Sequence, residues 1–331
     1  MKKGAARPAC PALRRNVRRS VITGNILPSD FSRGVLLGSD LSMPLDYNKV
    51  MSAPAIETTH ELTPRDTILY ALGVGVGAEN PTAPEELKYA YEQELKALPT
   101  MAVVLAYPGF WAKDPKYGLT WWKLLHGEQS IEIHRAPLPV QGRFRGVTTF
   151  DEIYDKGADK GAVLYTSRRI YAQSGEHVAT TRQSSFLRAD GGFGGKSAGA
   201  PKPHPLPERK PDLLLRTNTY LNQALIYRLS GDYNPIHADP GVAREGGFER
   251  PILHGLATYG VVGRMLVKAL CADMPERLRR MDVRFSSPVY PGESLEIEAW
   301  REAAGRAAFR VRVPERDTVV LQNGYLEFSA A

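Results

Sequence analysis

The sequence predicts an α+β protein made of two copies of one unit, each a helix followed by a meander of strands. Three observations carry this expectation. A helical apolar pattern near residues 64–72, and again near 222–229 and 260–270, gives way each time to alternating stretches rich in β-branched and aromatic residues. Gly77-Ala78-Glu79-Asn80-Pro81 lines up with Gly231-Asp232-Tyr233-Asn234-Pro235 at an offset of 154 residues. The Pro137-Leu138-Pro139-Val140-Gln141-Gly142 turn likewise matches Pro288-Val289-Tyr290-Pro291-Gly292 at about 150.

The elements follow in order. Residues 1–42 are Arg-rich, acid-poor and without sustained amphipathy. They read as a disordered tail, as an organelle-targeting peptide, or as untranslated sequence upstream of a true start at Met43, and the last is preferred. The first unit spans 43–190. Its helix starts at Thr63-Pro64-Arg65-Asp66, where Thr63 can cap and Pro64 suits the first turn. Gly73-Val74-Gly75-Val76-Gly77 lacks the spacing and the preceding strand of a phosphate loop, so close packing of a helix on a sheet explains it better. Met101 to Tyr107 reads as a short buried element, and Trp111, Trp121 and Trp122 as core or pocket walls. Strands are expected over 130–134, 143–154, 162–172 and 177–187. Residues 191–210, with Gly191-Gly192-Phe193-Gly194-Gly195 and four prolines, form a linker. The second unit, 211–331, has helices over 222–229 and 260–270, then strands near 280–285, 294–301, 307–313 and 318–328.

Composition limits the class. Hydrophobic residues make up 43% of the 331 and charged residues 24%, which supports a sizeable core and excludes a chain disordered along most of its length. No apolar run approaches the roughly 18 residues of a membrane-spanning helix. Two cysteines, Cys10 and Cys271, exclude a disulfide scaffold and a four-thiolate zinc site, and a cytoplasmic setting is expected. No secretory signal is recognisable, and Phe328-Ser329-Ala330-Ala331 is not a Ser-Lys-Leu address. The net charge of +7 lies almost wholly in residues 1–42, which hold eight Lys/Arg against two acids. Neither a nucleic-acid partner nor a membrane partner is therefore expected of the rest.

Chemistry concentrates in Tyr227-Arg228-Leu229-Ser230-Gly231-Asp232-Tyr233-Asn234-Pro235-Ile236-His237. Gly231 and Asn234-Pro235 break the preceding helix, which puts Asp232, Asn234 and His237 on an irregular segment. A carboxylate and an imidazole five residues apart can converge there on one water. Asn234 can orient water or carboxylate without taking a charge. Gly255, in His254-Gly255, stands where the 260–270 helical pattern begins, so its N–H is free for a ligand oxygen. At the matching positions of the first unit Ala78 replaces Asp232 and Ala83 replaces His237, which implies one catalytic unit and one reshaped for binding. His237-x-Asp239 with His254 fits no familiar zinc spacing, and no metal is expected.

The string from Tyr227 to His237, with Ala243 after it, resembles the hydratase 2 motif of the MaoC-like, (R)-specific enoyl-CoA hydratases. The order of features is similar to the two-hotdog form in the hydratase part of peroxisomal multifunctional enzyme type 2. It includes Arg65-Asp66-x-Ile68-Leu69-Tyr70-Ala71-Leu72-Gly73, His126-Gly127-Glu128-Gln129, Gly191 to Gly195, and Val283-Arg284-Phe285-Ser286-Ser287-Pro288. The likeness runs from about residue 44 to 328. It implies a double hotdog, two antiparallel sheets each wrapped around a central helix, with the first unit accommodating the acyl chain. It further implies that Asp232 and His237 hold and activate water, that Asn234 assists, and that the Gly255 N–H binds the thioester oxygen. Glu128 and Tyr227 would support the site, and Arg284 would meet CoA phosphates or face solvent. The implied reaction is syn hydration of a trans-2-enoyl-CoA, an acyl-CoA substrate, with no cofactor and a homodimer as the assembly. A hotdog thioesterase and a non-catalytic acyl-CoA-binding module are the alternatives.

Overall fold

The computed structural model describes residues 45–329, and the extension 1–42 lies outside the described residues. Helix α1 (Tyr47–Met51) and strand β1 (Ile56–Leu62) lead into α2 (Pro64–Gly73), whose start is the expected one. Thr63 accepts from the Asp66 amide while the Asp66 carboxylate accepts from the Thr63 amide, a reciprocal capping box with Pro64 in the first turn. A further helix, α3 (Pro84–Ala90), follows, then a series of 3-10 turns including Pro99–Val103. Four strands complete the first unit: β2 (Leu124–Ile133), β3 (Gly142–Asp155), β4 (Ala162–Ala172) and β5 (His177–Leu187). The second unit comprises β6 (Leu213–Asn218), α4 (Gln223–Tyr227), α5 (Pro240–Glu245), α6 (Gly255–Leu270), β7 (Leu278–Phe285), β8 (Ser294–Ala303), β9 (Arg306–Val313) and β10 (Thr318–Phe328).

The duplication is explicit in the sheet. Strand order is β1-β3-β4-β5-β2-β7-β10-β9-β8-β6, so the first five strands and the last five follow one another in the same internal order, mirrored about β2 and β7. Every neighbouring pair is antiparallel, and the half-sheets join where residues Glu128 to Glu132 pair with Arg284 to Arg280. The double hotdog thus has two half-sheets fused into one ten-stranded sheet.

The two units differ at the helix position. The second holds α6, sixteen residues long with ten of them buried. In the first, the fully buried 3-10 segment Pro99–Val103 stands there instead, so a long central helix in each unit is not what the described residues show. Two glycines let α6 approach the first unit closely. A Cβ on Gly260 would meet Val74 Cγ1 at 2.4 Å and the Tyr70 hydroxyl at 2.9 Å, and one on Gly263 would meet Thr100 Cγ2 at 2.5 Å.

Three sequence expectations change. Gly73 is the last residue of α2 and sits against the backbone of Tyr227, so its glycine serves helix–helix contact and not packing on a sheet. The glycine-rich linker is fastened in place: the Asp155 carboxylate accepts the amides of Gly157, Gly192 and Gly194, each at 2.8 Å. Farther along, Trp300 Nε1 donates to the Arg209 carbonyl at 2.7 Å and Asn323 to that of His204 at 2.8 Å. Trp122 is 65% exposed and belongs to no core, whereas Trp111 packs edge-on against Tyr117 and Phe150.

Because Gly260 touches both Val74 and Tyr70, Gly260→Val should overpack this contact and cost about 1–3 kcal/mol. Urea unfolding followed by tryptophan fluorescence measures it, and an unchanged midpoint would refute the close approach.

Candidate active site

The loop carrying the motif is built by its own side chains. After α4 and a short 3-10 turn, Gly231 adopts φ of +120°, a backbone that residues with a Cβ avoid, and reverses the chain. Asp232 Oδ1 then accepts the Asn234 amide at 3.1 Å, and Asn234 Oδ1 accepts the Ile236 amide at 3.3 Å, capping the turn Pro235–His237. These bonds aim His237 inward. Its Nδ1–H donates to the Ile252 carbonyl at 2.9 Å. A carbonyl can only accept, so Nδ1 bears the proton and Nε2 keeps its lone pair.

His254 closes the arrangement. Fully buried at the N-cap of α6, it donates Nε2–H to the Asp232 carbonyl at 3.1 Å and stacks on His237 with ring centroids 3.6 Å apart. One ligating atom each from Asp232, His237 and His254 lies within 4.8 Å of the others. Asp239, which the sequence grouped with the histidines, instead caps α5 through the Gly241 amide. Two histidines and a carboxylate could in kind ligate a metal; backbone carbonyls already engage His237 Nδ1 and His254 Nε2, which leaves His237 Nε2 and His254 Nδ1 as the nitrogens with free lone pairs.

Burial lowers the pKa of His237, and for His254 burial is joined by repulsion from the His237 ring, so both are neutral imidazoles near pH 7. The cap residue of α6 offers no side-chain hydrogen bond to the first turn, and Gly255 is exposed. Its amide, adjacent in sequence to His254, faces outward at the positive end of the helix. The ring of Phe285 covers the other side, 3.1 Å from where a Cβ on Gly255 would stand.

The remaining expected residues divide. Tyr227 is fully buried against Tyr70 and His254, with its hydroxyl unpartnered. Asn234 is exposed and its oxygen is engaged in capping. The Glu128 carboxylate accepts from the Tyr165 hydroxyl at 3.1 Å, on the sheet face opposite Gln129, while its carbonyl meets the His126 ring at 3.1 Å. Arg284 lies exposed across the seam from it. The member of that motif which senses Asp232 is His126, whose imidazole burial holds down to about 4 and whose ring lies 4.8 Å from Phe285. Sequence reading missed His126 and His254 as site members, although both stood inside quoted motifs. Beside the matching loop of the first unit, which has Ala78 and Ala83 in place of Asp232 and His237, Glu86 accepts the Gly77 amide at 2.8 Å and pairs with Arg264 of α6 at 3.0 Å.

Comparison with known proteins decides the family. Residues 203–323 match a MaoC like domain and residues 60–189 match an MFE-2 hydratase 2 N-terminal domain. The chain is 42% identical to 3-hydroxyacyl-thioester dehydratase Y of Mycobacterium tuberculosis, over 87% of this chain and all of that one. It belongs to the MaoC-like hydratase 2 family. The peroxisomal enoyl-CoA hydratase 2 of Arabidopsis thaliana is 37% identical over 82% of this chain and 91% of its own. The crystal structure of a MaoC-like dehydratase from Phytophthora capsici superposes with a TM-score of 0.75 at 34% identity, covering 86% of this chain and 99% of that one. This family member thus carries both hotdog units, and no helix among its described residues is long and apolar enough to cross a membrane.

The neutral histidines predict acid lability. Their folded-state pKa values lie below the ordinary 6.5, so below pH 6.5 the unfolded chain takes up protons that the folded chain refuses. Stability should therefore fall as pH drops from about 6.5 towards 4. Denaturant midpoints at pH 7 and pH 5 measure this, and His126→Gln should make the fall shallower. Equal midpoints at both pH values would contradict the burial of these rings.

Proposed function

We propose that this chain is an (R)-specific enoyl-CoA hydratase, a hydro-lyase that adds water syn across a trans-2-enoyl-CoA to give a (3R)-3-hydroxyacyl-CoA, and reverses that reaction. The observation that carries the reading is the convergence of Asp232 and His237 beside the free amino end of α6. The family relationship adds to it.

The chemistry follows from charge. The Gly255 N–H donates to the thioester oxygen and draws electron density from Cβ. Water held between Asp232 and the His237 Nε2 lone pair loses a proton as its oxygen bonds to Cβ. The proton is returned to Cα on the same face, so water adds without remainder. Negative charge gathers meanwhile on the thioester oxygen, where one well-placed donor lowers the barrier by about 3 kcal/mol. His254 has no proton to exchange in this scheme; it holds the Asp232 backbone and the His237 plane. CoA enters as part of the substrate and no further cofactor takes part. We place the enzyme in the cytoplasm; subcellular fractionation of the tagged chain with and without residues 1–42 tests that placement.

Asp232→Asn and His237→Gln should each fold and lose roughly 100- to 10,000-fold in kcat for crotonyl-CoA or decenoyl-CoA, read as loss of enoyl absorbance. Rates near wild type in both would defeat the assignment. Free-thiol release in place of absorbance loss would mark a thioesterase, and chiral analysis of the product tests the (3R) outcome.

The rate should also persist in mild acid. Burial lowers the pKa of His237, so its lone pair survives below the ordinary 6.5. The acid limb of kcat/KM should then lie below pH 6.5; a limb above that value would remove His237 as the proton acceptor.

A further inference from the structure

The inner face of the first unit's sheet is divided. Along β4 the residues facing inward are Leu164, Thr166, Arg168 and Ile170. Leu164 belongs to an apolar cluster with Ile153 and Leu187, and Ile170 to a separate one with Phe144 and Ala179. Between the clusters runs a polar band. Thr148 of β3 and Thr181 of β5 stand opposite Arg168 in register, and each of the three is at most 6% exposed.

Arg168 is the anomaly in this band. One Nη2 donates to the Val103 carbonyl at 2.6 Å and reaches that of Ala102 at 3.4 Å, at the end of the Pro99–Val103 turn. Its Nε has no partner, and neither has the Thr148 hydroxyl across the strand. No carboxylate among the described residues pairs with the guanidinium, which lies over the Tyr107 ring at 5.4 Å. Buried cations are ordinarily paired, because an uncompensated charge out of water is costly. The Pro99–Val103 turn that Arg168 grips packs on α6 through Thr100 and Gly263, and α6 begins at the reacting centre. The Tyr107 phenol is pushed up to about 12, by burial first and then by the charge of Asp232.

Resting on the hydratase reading, we propose that this band receives the far end of the acyl group, and that Arg168 selects 2-enoyl-CoA thioesters whose chain ends in a carboxylate. The carboxylate brings the charge the guanidinium lacks and accepts from Nε and from the Thr148 hydroxyl. A methyl-ended chain leaves both donors unpaired. A hydroxyl-ended chain satisfies a hydrogen bond but not the charge.

The test compares kcat/KM of the full chain for 2-enoyl-CoA esters matched in length and ending in methyl, hydroxyl or carboxylate. Wild type should favour the carboxylate over the methyl form at least tenfold at one length, a discrimination within reach of a site built to hydrogen-bond its substrate. Arg168→Met should bring that ratio close to one, with Arg168→Lys in between. Equal rates for all three endings at every length, preference for the hydroxyl form, or an undiminished ratio in Arg168→Met overturns the proposal. If Arg168→Met does not fold, the wild-type series decides alone. Should no ester be hydrated, the hydratase reading itself fails; calorimetric binding of the carboxylate- and methyl-ended esters then judges the subsite by the same ratio.

Discussion

The active loop and the central helix are held as one piece by a single imidazole. His254 occupies the N-cap position of α6, donates to the Asp232 carbonyl and stacks on His237, so the helix end, the carboxylate-bearing loop and the second ring share one joint. The joint works only while both rings are uncharged. Two imidazolium ions stacked at 3.6 Å would repel. The helix that begins at this joint is seated against the first unit through Gly260 and Gly263. The site therefore shares its anchoring with a helix–unit contact within three turns of it.

Much of this was legible in the residues. β4, β5 and β10 fall where alternation put them, because eleven residues each are long enough to display the two-residue period between their turns. β1 and β6 escaped notice; as the edges of the sheet they pair on one side only and their patterns are weak. α3 and α5 were missed because six or seven residues are too few to display a helical period. The Asp232–His237 loop was visible because its side chains bond to neighbours two residues away. His254 and Arg168 act across 22 and 65 residues, and no local pattern announces such partners. The missing helix of the first unit was hidden for a like reason: Met101, Ala102 and Val103 are as apolar as a helix core, and only packing shows them in a tighter turn.

The two units show how one topology carries different interiors. In the second, α6 presents a nearly continuous apolar surface to its half-sheet. In the first, the sheet's inner face alternates between apolar clusters and a polar band, and a short turn stands over it. An interior of that kind gains less from packing and more from what it can bind. The Glu86–Arg264 pair is a different solution: beside Ala83 it lines a small pocket with two charges that satisfy one another.

The fastened connection through residues 191–210 has a consequence for how such a molecule can change. A pair of separate, identical subunits is bound by symmetry, so any substitution appears twice and must suit both places at once. Joining the copies end to end lifts that rule. Each position may then be occupied by a residue that only one copy could tolerate, as at Ala78 and Asp232 or Ala83 and His237. A tether laid along the surface also holds the copies together at any dilution, which frees their shared seam of five residue pairs from having to be strong enough alone.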